Sequence, residues 1–153
     1  MKTCYVLIGV PGSGKSTWTA LHDDKCILST DTIIEYTANM YGFTYDESFK
    51  DLIGFATKVF EKQINDVIDV DMDAIIDRTN LTPKTRQKVM KPFIDAGYRM
   101  IAVVFPTPKE NEWKRRLNRP GKTIPQDILN NMAKSFTHPT KEEGFEEIII
   151  VDV

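Results

Sequence analysis

The sequence predicts a doubly wound α/β domain, in which five mostly parallel strands form one sheet with helices on both faces. Two observations support this class. Short runs that are apolar throughout recur along the chain, and longer stretches with apolar residues at helical spacing separate them. Strands that are apolar on both faces belong in a parallel sheet that helices cover on both sides. Ligands of such a sheet bind at the carboxyl ends of its strands.

The chain is expected to form a single domain over residues 1–153, because this length is typical of one hydrophobic core. Its 41% hydrophobic and 27% charged residues are typical of soluble proteins, and no apolar run is long enough to cross a bilayer. The first residues have the pattern of a strand and lack the features of a signal peptide. We therefore expect a cytoplasmic protein without a membrane partner.

Each element is predicted from its local pattern. The apolar runs of strand length are, in chain order, 4–8, 25–29, 73–76, 100–105 and 147–151. The longest stretch between them has apolar residues at helical spacing from Phe55 to Ile68. Residues that cap helices follow the second and third runs, and Ala96-Gly97 ends the helix that begins near Pro83.

A glycine-rich segment follows the first strand and reads Gly9-Val10-Pro11-Gly12-Ser13-Gly14-Lys15-Ser16. In this G-x-x-x-x-G-K-S pattern, successive backbone N–H groups surround phosphates at the positive end of a helix. Lys15 is then expected to reach the β- and γ-phosphates, and Ser16 to bind Mg²⁺ through its hydroxyl. We therefore predict ATP and Mg²⁺ as cofactors, bound by residues Gly9 through Thr17. A chance glycine-rich turn is the alternative, but the flanking strand and helix argue against it.

Two aspartates follow or end predicted strands, at the sheet edge where ligands bind. Asp31 could accept the proton of a substrate hydroxyl, or it could cap a helix that starts at Thr32. Asp77 could order Mg²⁺, or it could belong to an ordinary polar turn. The acceptor-binding residues that we expect to follow Asp77 into the same cleft are Arg78, Thr79 and Asn80.

The densest group of cations lies between residues 114 and 122, and a Pro-Gly turn follows Arg119. Such a stretch suits a small helical lid over the nucleotide, which we place at approximately residues 108–124. The planar guanidinium group suits the charge of a transferred phosphoryl group, so Arg119 is expected to be catalytic. Arg115 is expected to bind the nucleotide, but for it and for Arg116 a solvated helix face is an equally good interpretation.

Aromatic residues cluster between the second strand and the long helix, at Tyr36, Tyr41, Phe43, Tyr45 and Phe49. They could form a platform on which nucleic-acid bases stack. Packing in the core or in an interface is the more common role of such residues, and we expect it here.

These motifs resemble those of the phage-type polynucleotide 5′-kinases and, more broadly, those of the small P-loop kinases. The likeness covers most of the chain. It rests on residues 8–18, on Ile75-Ile76 with Thr79-Asn80-Leu81 and Pro83, and on residues 119–129. The resemblance implies the P-loop kinase fold and transfer of the γ-phosphate of ATP to a 5′-hydroxyl of a nucleic acid.

The same resemblance implies roles for particular residues. Lys15 and Ser16 would act on the phosphates and the magnesium ion, Asp31 would be the general base, and Arg119 would contact the phosphates from the lid. Two positions depart from the family. Ile34 stands where an arginine holds the acceptor's 3′-phosphate, and Arg78 stands directly before Thr-Asn, where an aspartate is usual. We therefore consider Arg78 a candidate for the missing cation.

The predicted reaction is transfer of phosphate to a polynucleotide 5′-hydroxyl, with nucleic acid as the substrate partner. Because Ile34 cannot bind a phosphate, two other acceptors stay open: a hydroxymethyl group on a modified base in DNA, and a small nucleoside-like molecule. A nucleotide switch or motor ATPase is the alternative outside the kinases. Asp31 and the lid arginines favour a phosphotransferase over that alternative.

Overall fold

The computed structural model describes residues 2–151 and confirms the predicted α/β sheet. Its strands pair in the order β2-β3-β1-β4-β5, and every pairing is parallel. Each predicted strand is present, with ends that differ from the expected ones by at most one residue. The strands are Thr3–Ile8 (β1), Cys26–Leu28 (β2), Ala74–Ile76 (β3), Arg99–Val104 (β4) and Glu147–Ile150 (β5).

The helices that connect the strands lie on both faces of the sheet. They are Lys15–Ala20 (α1), Thr30–Met40 (α2), Tyr45–Asp69 (α3), Pro83–Asp95 (α4), Glu110–Leu117 (α5) and Gln126–Ser135 (α6), with a 3₁₀ turn at Lys141–Glu143. Within residues 2–151, no helix is both long enough and apolar enough to cross a bilayer.

Local sequence explains how the helices begin. The hydroxyl of Ser29 accepts a hydrogen bond from the Thr32 amide, so α2 is capped by Ser29 and begins two residues before Thr32. Helix α3 begins with a capping box, in which Thr44 and Glu47 each bond the other's backbone amide. This box fixes the start of α3 at the corner between α2 and α3.

The core has two layers because β1 is buried on both faces. Val6 and Ile8 pack with residues of α3 and α4, including Phe60 and Phe93, on one face. Leu7 points to the opposite face and packs in a smaller cluster that Trp18 of α1 helps to cover. The segment after β1 is therefore anchored by a strand with no exposed face.

A buried ion pair fastens the loop after β3 to the turn before β5. The Arg86 side chain is fully buried, and its Nε donates to Oε1 of Glu143 at 2.7 Å. Its Nη1 donates to the backbone carbonyl of Asn80 at 2.9 Å. Its Nη2 also donates to Oε2 of Glu143 at 3.1 Å, so the guanidinium satisfies acceptors of two residues, Glu143 and Asn80, that have little access to water.

Replacing Arg86 with methionine leaves both acceptors without their donor. We expect the free energy of unfolding to fall by about 3–5 kcal/mol, as is typical when one partner of a buried ion pair is removed. Urea denaturation followed by circular dichroism measures this change. The control is Lys91→Met, which breaks an exposed pair with Asp95 and is expected to change stability little. Equal stability losses in the two variants would contradict the prediction.

Candidate functional site

One cleft at the carboxyl edge of the sheet, with a volume of about 800 Å³, collects most of the predicted site residues. Parallel strands direct their carboxyl ends to this edge, so the loops that follow β1, β2 and β3 meet there. Part of the predicted lid, residues 108–124, borders the cleft: Arg116, Arg119, Lys122 and Ile124 line it. The predicted residues that line the cleft are Pro11, Gly12, Ser13, Gly14, Lys15, Ser16, Thr17, Asp31, Asp77, Arg78, Thr79 and Arg119.

The conformation of the glycine-rich segment, called here the P-loop (residues 9–16), depends on three glycines. Gly12 and Gly14 have φ angles of 76° and 109°, in the left-handed region that residues with a Cβ atom rarely adopt. At Gly9 a Cβ atom would lie 2.6 Å from the Ser13 hydroxyl and 2.9 Å from Phe105. These constraints produce a tight concave turn whose following helix begins at Lys15.

Lys15 is held across this turn by two backbone carbonyls. Its Nζ donates to the carbonyl of Gly9 at 2.8 Å and to that of Val10 at 2.9 Å. Gly9 and Val10 do not line the cleft themselves. Burial lowers the pKa of Lys15 to about 8, although Asp77 and Asp31 oppose this shift. An anionic group in the loop would favour the charged form of the amine.

Asp77 and Ser16 both line the cleft and carry oxygen atoms of the kind that a magnesium ion binds. Burial raises the pKa of the Asp77 carboxyl, and the nearby Lys15 partly offsets this effect. Over residues 2–151 there is no cluster of three or more His, Cys, Asp or Glu side chains that could hold a metal ion. A hydroxyl and one carboxylate therefore fit a Mg²⁺ ion that arrives with a nucleotide and keeps phosphate and water ligands.

Asp31 lies in the first turn of α2 and extends into the cleft. The capping alternative does not apply to it, because Ser29 occupies the cap position. The Tyr45 hydroxyl donates to Asp31 Oδ1 at 2.8 Å, and Lys122 Nζ lies 3.5 Å from Oδ2. Both carboxylate oxygens are thus oriented by residues distant in sequence.

The lid arginines are not equivalent. Arg119 lines the cleft, as predicted from the sequence. Arg115 is exposed, pairs with Glu112 and does not line the cleft, so the structure does not support it as a nucleotide ligand. Arg116 lines the cleft instead, and its Nη1 donates to the carbonyl of Gly12 at 3.2 Å.

The phase of helix α5 explains this difference. Trp113 on the same helix donates through Nε1 to the carbonyl of Pro11 at 2.6 Å, and Leu117 packs against Gly12. Arg116 follows Trp113 by three residues and therefore shares its face, whereas Arg115 does not. The apolar residues Trp113 and Leu117 are the sequence signal that could have identified the inward face of α5.

The predicted acceptor residues after β3 divide into two groups. Arg78 lines the cleft with its guanidinium 5.1 Å from the centre of the Phe60 ring, and Thr79 lies beside it. Asn80 is buried, and its amide donates to the backbone carbonyl of Leu7 at 2.7 Å. Asn80 therefore braces the loop against β1 and does not reach the cleft.

The cleft also contains residues to which sequence reasoning assigned no definite role there. Among them are Glu35, Tyr45, Arg116 and Lys122. Glu35 could have been found, because it follows Asp31 by four residues and so shares its helix face. Tyr45 carries no sequence signal for this role. Its aromatic neighbours Tyr36, Tyr41 and Phe43 are exposed, so they do not pack in the core of this chain.

A second, smaller groove of about 300 Å³ lies beyond Thr79, between α4 and α6. Thr79 lines both this groove and the main cleft, so the two are adjacent. The groove residues are all uncharged: Thr79, Leu81, Thr82, Thr85, Ile128, Asn131, Met132 and Ser135. Such a lining suits a neutral group with hydrogen-bonding edges.

A family model described as an AAA domain matches residues 5–139. Among curated proteins, heterogeneous nuclear ribonucleoprotein U-like protein 2 of Mus musculus is 24% identical over 157 aligned residues, which cover 94% of this chain. The chain spans about 20% of the length of that relative.

Solved structures share the fold. A structure of the PezAT toxin–antitoxin system of Streptococcus pneumoniae matches with a TM-score of 0.68 and 17% identity, over 98% of this chain and 66% of that one. A structure of the Pnkp1/Rnl/Hen1 RNA repair complex matches with a TM-score of 0.66 and 21% identity, over 89% of this chain and 44% of that one. Shikimate kinase from Acinetobacter baumannii matches with a TM-score of 0.56 and 18% identity, over 100% of this chain and 86% of that one.

The lowered pKa of Lys15 gives a prediction for nucleotide binding. At pH 8 about half of the free protein carries an unprotonated Lys15, and a bound triphosphate favours the charged form. Mg·ATP binding at pH 8 is therefore expected to take up roughly half a proton. Isothermal titration calorimetry in buffers of different ionisation enthalpy measures this number. Lys15→Arg, which stays charged, should take up none, and equal uptake by both proteins would contradict the assignment.

Proposed function

Because the chain belongs to this AAA-domain family of P-loop kinase-like proteins, we propose that it transfers the γ-phosphate of ATP to a hydroxyl of a nucleic acid, specifically a polynucleotide 5′-hydroxyl. One observation carries the proposal. The Asp31 carboxylate lies in the same cleft as the P-loop and Lys15, at the carboxyl edge of the neighbouring strands. A nucleotide switch does not require a carboxylate poised in this way for an acceptor hydroxyl.

The donor side of the cleft is suited to the phosphates of ATP. The P-loop amides and Lys15 would hold the β- and γ-phosphates, and Arg119 with Arg116 would approach them from the lid. Ser16 and Asp77 would hold Mg²⁺, which supplies charge stabilisation to the phosphate oxygens when it is bound. These residues surround the phosphates with positive charge in a partly buried cleft.

The acceptor side is suited to activating a hydroxyl. Asp31 would take the proton as the acceptor oxygen bonds to the γ-phosphorus, and the bond from that phosphorus to the β–γ bridging oxygen would break. The products are the phosphorylated acceptor and ADP. The uncharged groove beyond Thr79 lies where the base of the acceptor nucleotide could be held.

A nucleic-acid acceptor is supported by the relatives. One solved structure of the same fold belongs to an RNA repair complex, and the mouse relative is described as a ribonucleoprotein-like protein. The chain's own contribution is Arg78, whose guanidinium lies in the cleft and interacts electrostatically with Asp31. A cation near Asp31, the proposed general base, is suited to binding a phosphate of the acceptor.

One observation favours a second candidate acceptor. Ile34 is fully buried, and the next residue, Glu35, faces the cleft as a carboxylate. An acidic side chain next to Asp31 disfavours a phosphate bound at that point. A hydroxymethyl group on a modified base in DNA, or a small nucleoside-like substrate, would place a hydroxyl at Asp31 without bringing a phosphate near Glu35.

The test is transfer of labelled γ-phosphate from Mg·ATP to 5′-hydroxyl DNA and RNA oligonucleotides, hydroxymethyl-base DNA and free nucleosides. We expect labelled 5′ ends, and we expect Asp31→Asn to lower the rate by about 10²–10⁴-fold without weakening ATP binding, because only the general base is lost. Label confined to the modified base or the nucleoside would select the second candidate. ATP hydrolysis without label in any acceptor would favour a switch.

Arg78 gives a separate prediction about the acceptor. Arg78→Ala is expected to raise the acceptor KM about tenfold or more, because a charged hydrogen bond contributes about 1.5–3 kcal/mol. The KM for ATP should not change. Steady-state kinetics with each substrate varied in turn measures both values.

The matched control for this variant is Arg115→Ala, since that guanidinium pairs with Glu112 outside the cleft. It should leave both KM values unchanged. An unchanged acceptor KM in Arg78→Ala would remove Arg78 from the acceptor site.

A further inference from the structure

The loop at the end of the lid is docked on the corner between α2 and α3. The Asp46 carboxylate accepts hydrogen bonds from the Thr123 amide at 2.8 and 2.9 Å. The Asp46 amide donates to the carbonyl of Gly121 at 2.9 Å. A Cβ atom on Gly121 would lie 3.1 Å from the Thr44 side chain, so the two segments are in close contact. The residue between these contacts, Lys122, is thereby directed towards α2.

Lys122 lies between two carboxylates that belong to the acceptor side of the cleft. Its Nζ is 2.6 Å from Oε1 of Glu35 and 3.5 Å from Oδ2 of Asp31. The same atom lies 4.6 Å from the centre of the Tyr45 ring. The Lys122 side chain is only 14% exposed, whereas those of Asp31 and Glu35 are 55% and 49% exposed. The lid therefore delivers a mostly buried cation to Asp31.

The electrostatics of this cluster depend on that cation. Asp31 and Glu35 are one helical turn apart on α2, where like charges repel. Lys122 offsets this repulsion, and Tyr45 holds the other oxygen of Asp31 through its hydroxyl. The pKa of Tyr45 is raised, first by its burial and then by the charge of Asp31, so its hydroxyl stays protonated and remains a donor.

We infer that Lys122 is a positioning residue that prepares Asp31 for proton transfer only when the lid loop is docked on α3. This inference rests on the proposed function, because it assigns Asp31 the role of general base. Undocking the loop leaves Asp31 and Glu35 one helical turn apart without their shared cation, so the contact that holds Oδ2 of Asp31 is lost and the two like charges repel. Closure of the lid over the nucleotide and activation of the acceptor are thus coupled by one side chain.

Other charged groups also act on Asp31 and are unchanged by the position of the loop. Lys15, Asp77 and Arg78, on the P-loop and after β3, interact with it electrostatically. Only Lys122 combines direct contact with Asp31 and attachment to the docked loop, within residues 2–151. The coupling can therefore be tested by substitutions at Lys122 and at its second partner, Glu35.

The first test compares kcat and its pH profile in Lys122→Met and in the double variant with Glu35→Gln. Lys122→Met is expected to lower kcat about 10- to 100-fold, which is part of the ~10²–10⁴-fold that a general base supplies. It is also expected to move the acidic limb of the pH profile of kcat to higher pH. In the double variant, Glu35→Gln should restore much of kcat and much of the wild-type pH profile, because it removes the repulsion between Asp31 and Glu35. Lys122→Arg should keep most of the activity.

The matched control is Lys114→Met, which removes an exposed lid lysine paired with Glu110. It is expected to keep the wild-type kcat and pH profile. A loss in Lys122→Met with an unchanged pH profile and no rescue by Glu35→Gln would overturn the inference and leave Lys122 a purely structural contact.

A second measurement does not need an acceptor. In ¹³C-detected NMR spectra at constant pH, Lys122→Met should shift the side-chain carboxyl resonances of Asp31 and Glu35, because it removes the amine that lies 3.5 and 2.6 Å from them, whereas Lys114→Met should not. Unshifted resonances would overturn the inference even if the wild type is an active kinase. Wild-type protein that labels no acceptor would instead overturn the proposed function.

Discussion

Strand β1 lies between β3 and β4 and is buried on both faces, and the donor side of the cleft depends on this constraint. A strand packed on both sides cannot shift or rotate without opening two clusters of apolar side chains. The P-loop starts where the strand ends, and Gly9 N donates to the carbonyl of Thr79 at 3.0 Å, so the loop is also tied to the segment after β3. The phosphate-binding turn is therefore held by the sheet itself.

The acceptor side is built differently. Its carboxylate, Asp31, is exposed and lies in the first turn of α2, which follows the short edge strand β2, and its orientation comes from Tyr45 on α3 and Lys122 in the lid. Side chains and loops make these contacts, and such contacts form and break more easily than a packed sheet. One half of the cleft is thus fixed by backbone, and the other half is assembled by side chains.

The sequence was sufficient for the parts of the molecule that local pattern determines. The apolar runs predicted the strands, and the glycines together with Lys15 predicted the loop between β1 and α1, because both signals lie within a few consecutive residues. Contacts between distant residues were not accessible in this way: Lys122 meets Glu35 across 87 positions and Arg116 meets Gly12 across 104. Asn80 was assigned to the cleft because it is polar and follows a strand, yet its amide satisfies a buried carbonyl of β1.

The hydrogen bonds from Trp113 and Arg116 to the carbonyls of Pro11 and Gly12 have a mechanical consequence. They join helix α5 to the back of the P-loop, while the end of the lid is joined to α3 through Asp46. The segment between these two attachments, residues 118–120, is short and exposed. A motion that freed the docked loop from α3 while α5 stayed on the P-loop would have to bend the chain in this segment, and α5 would then remain a fixed wall of the cleft.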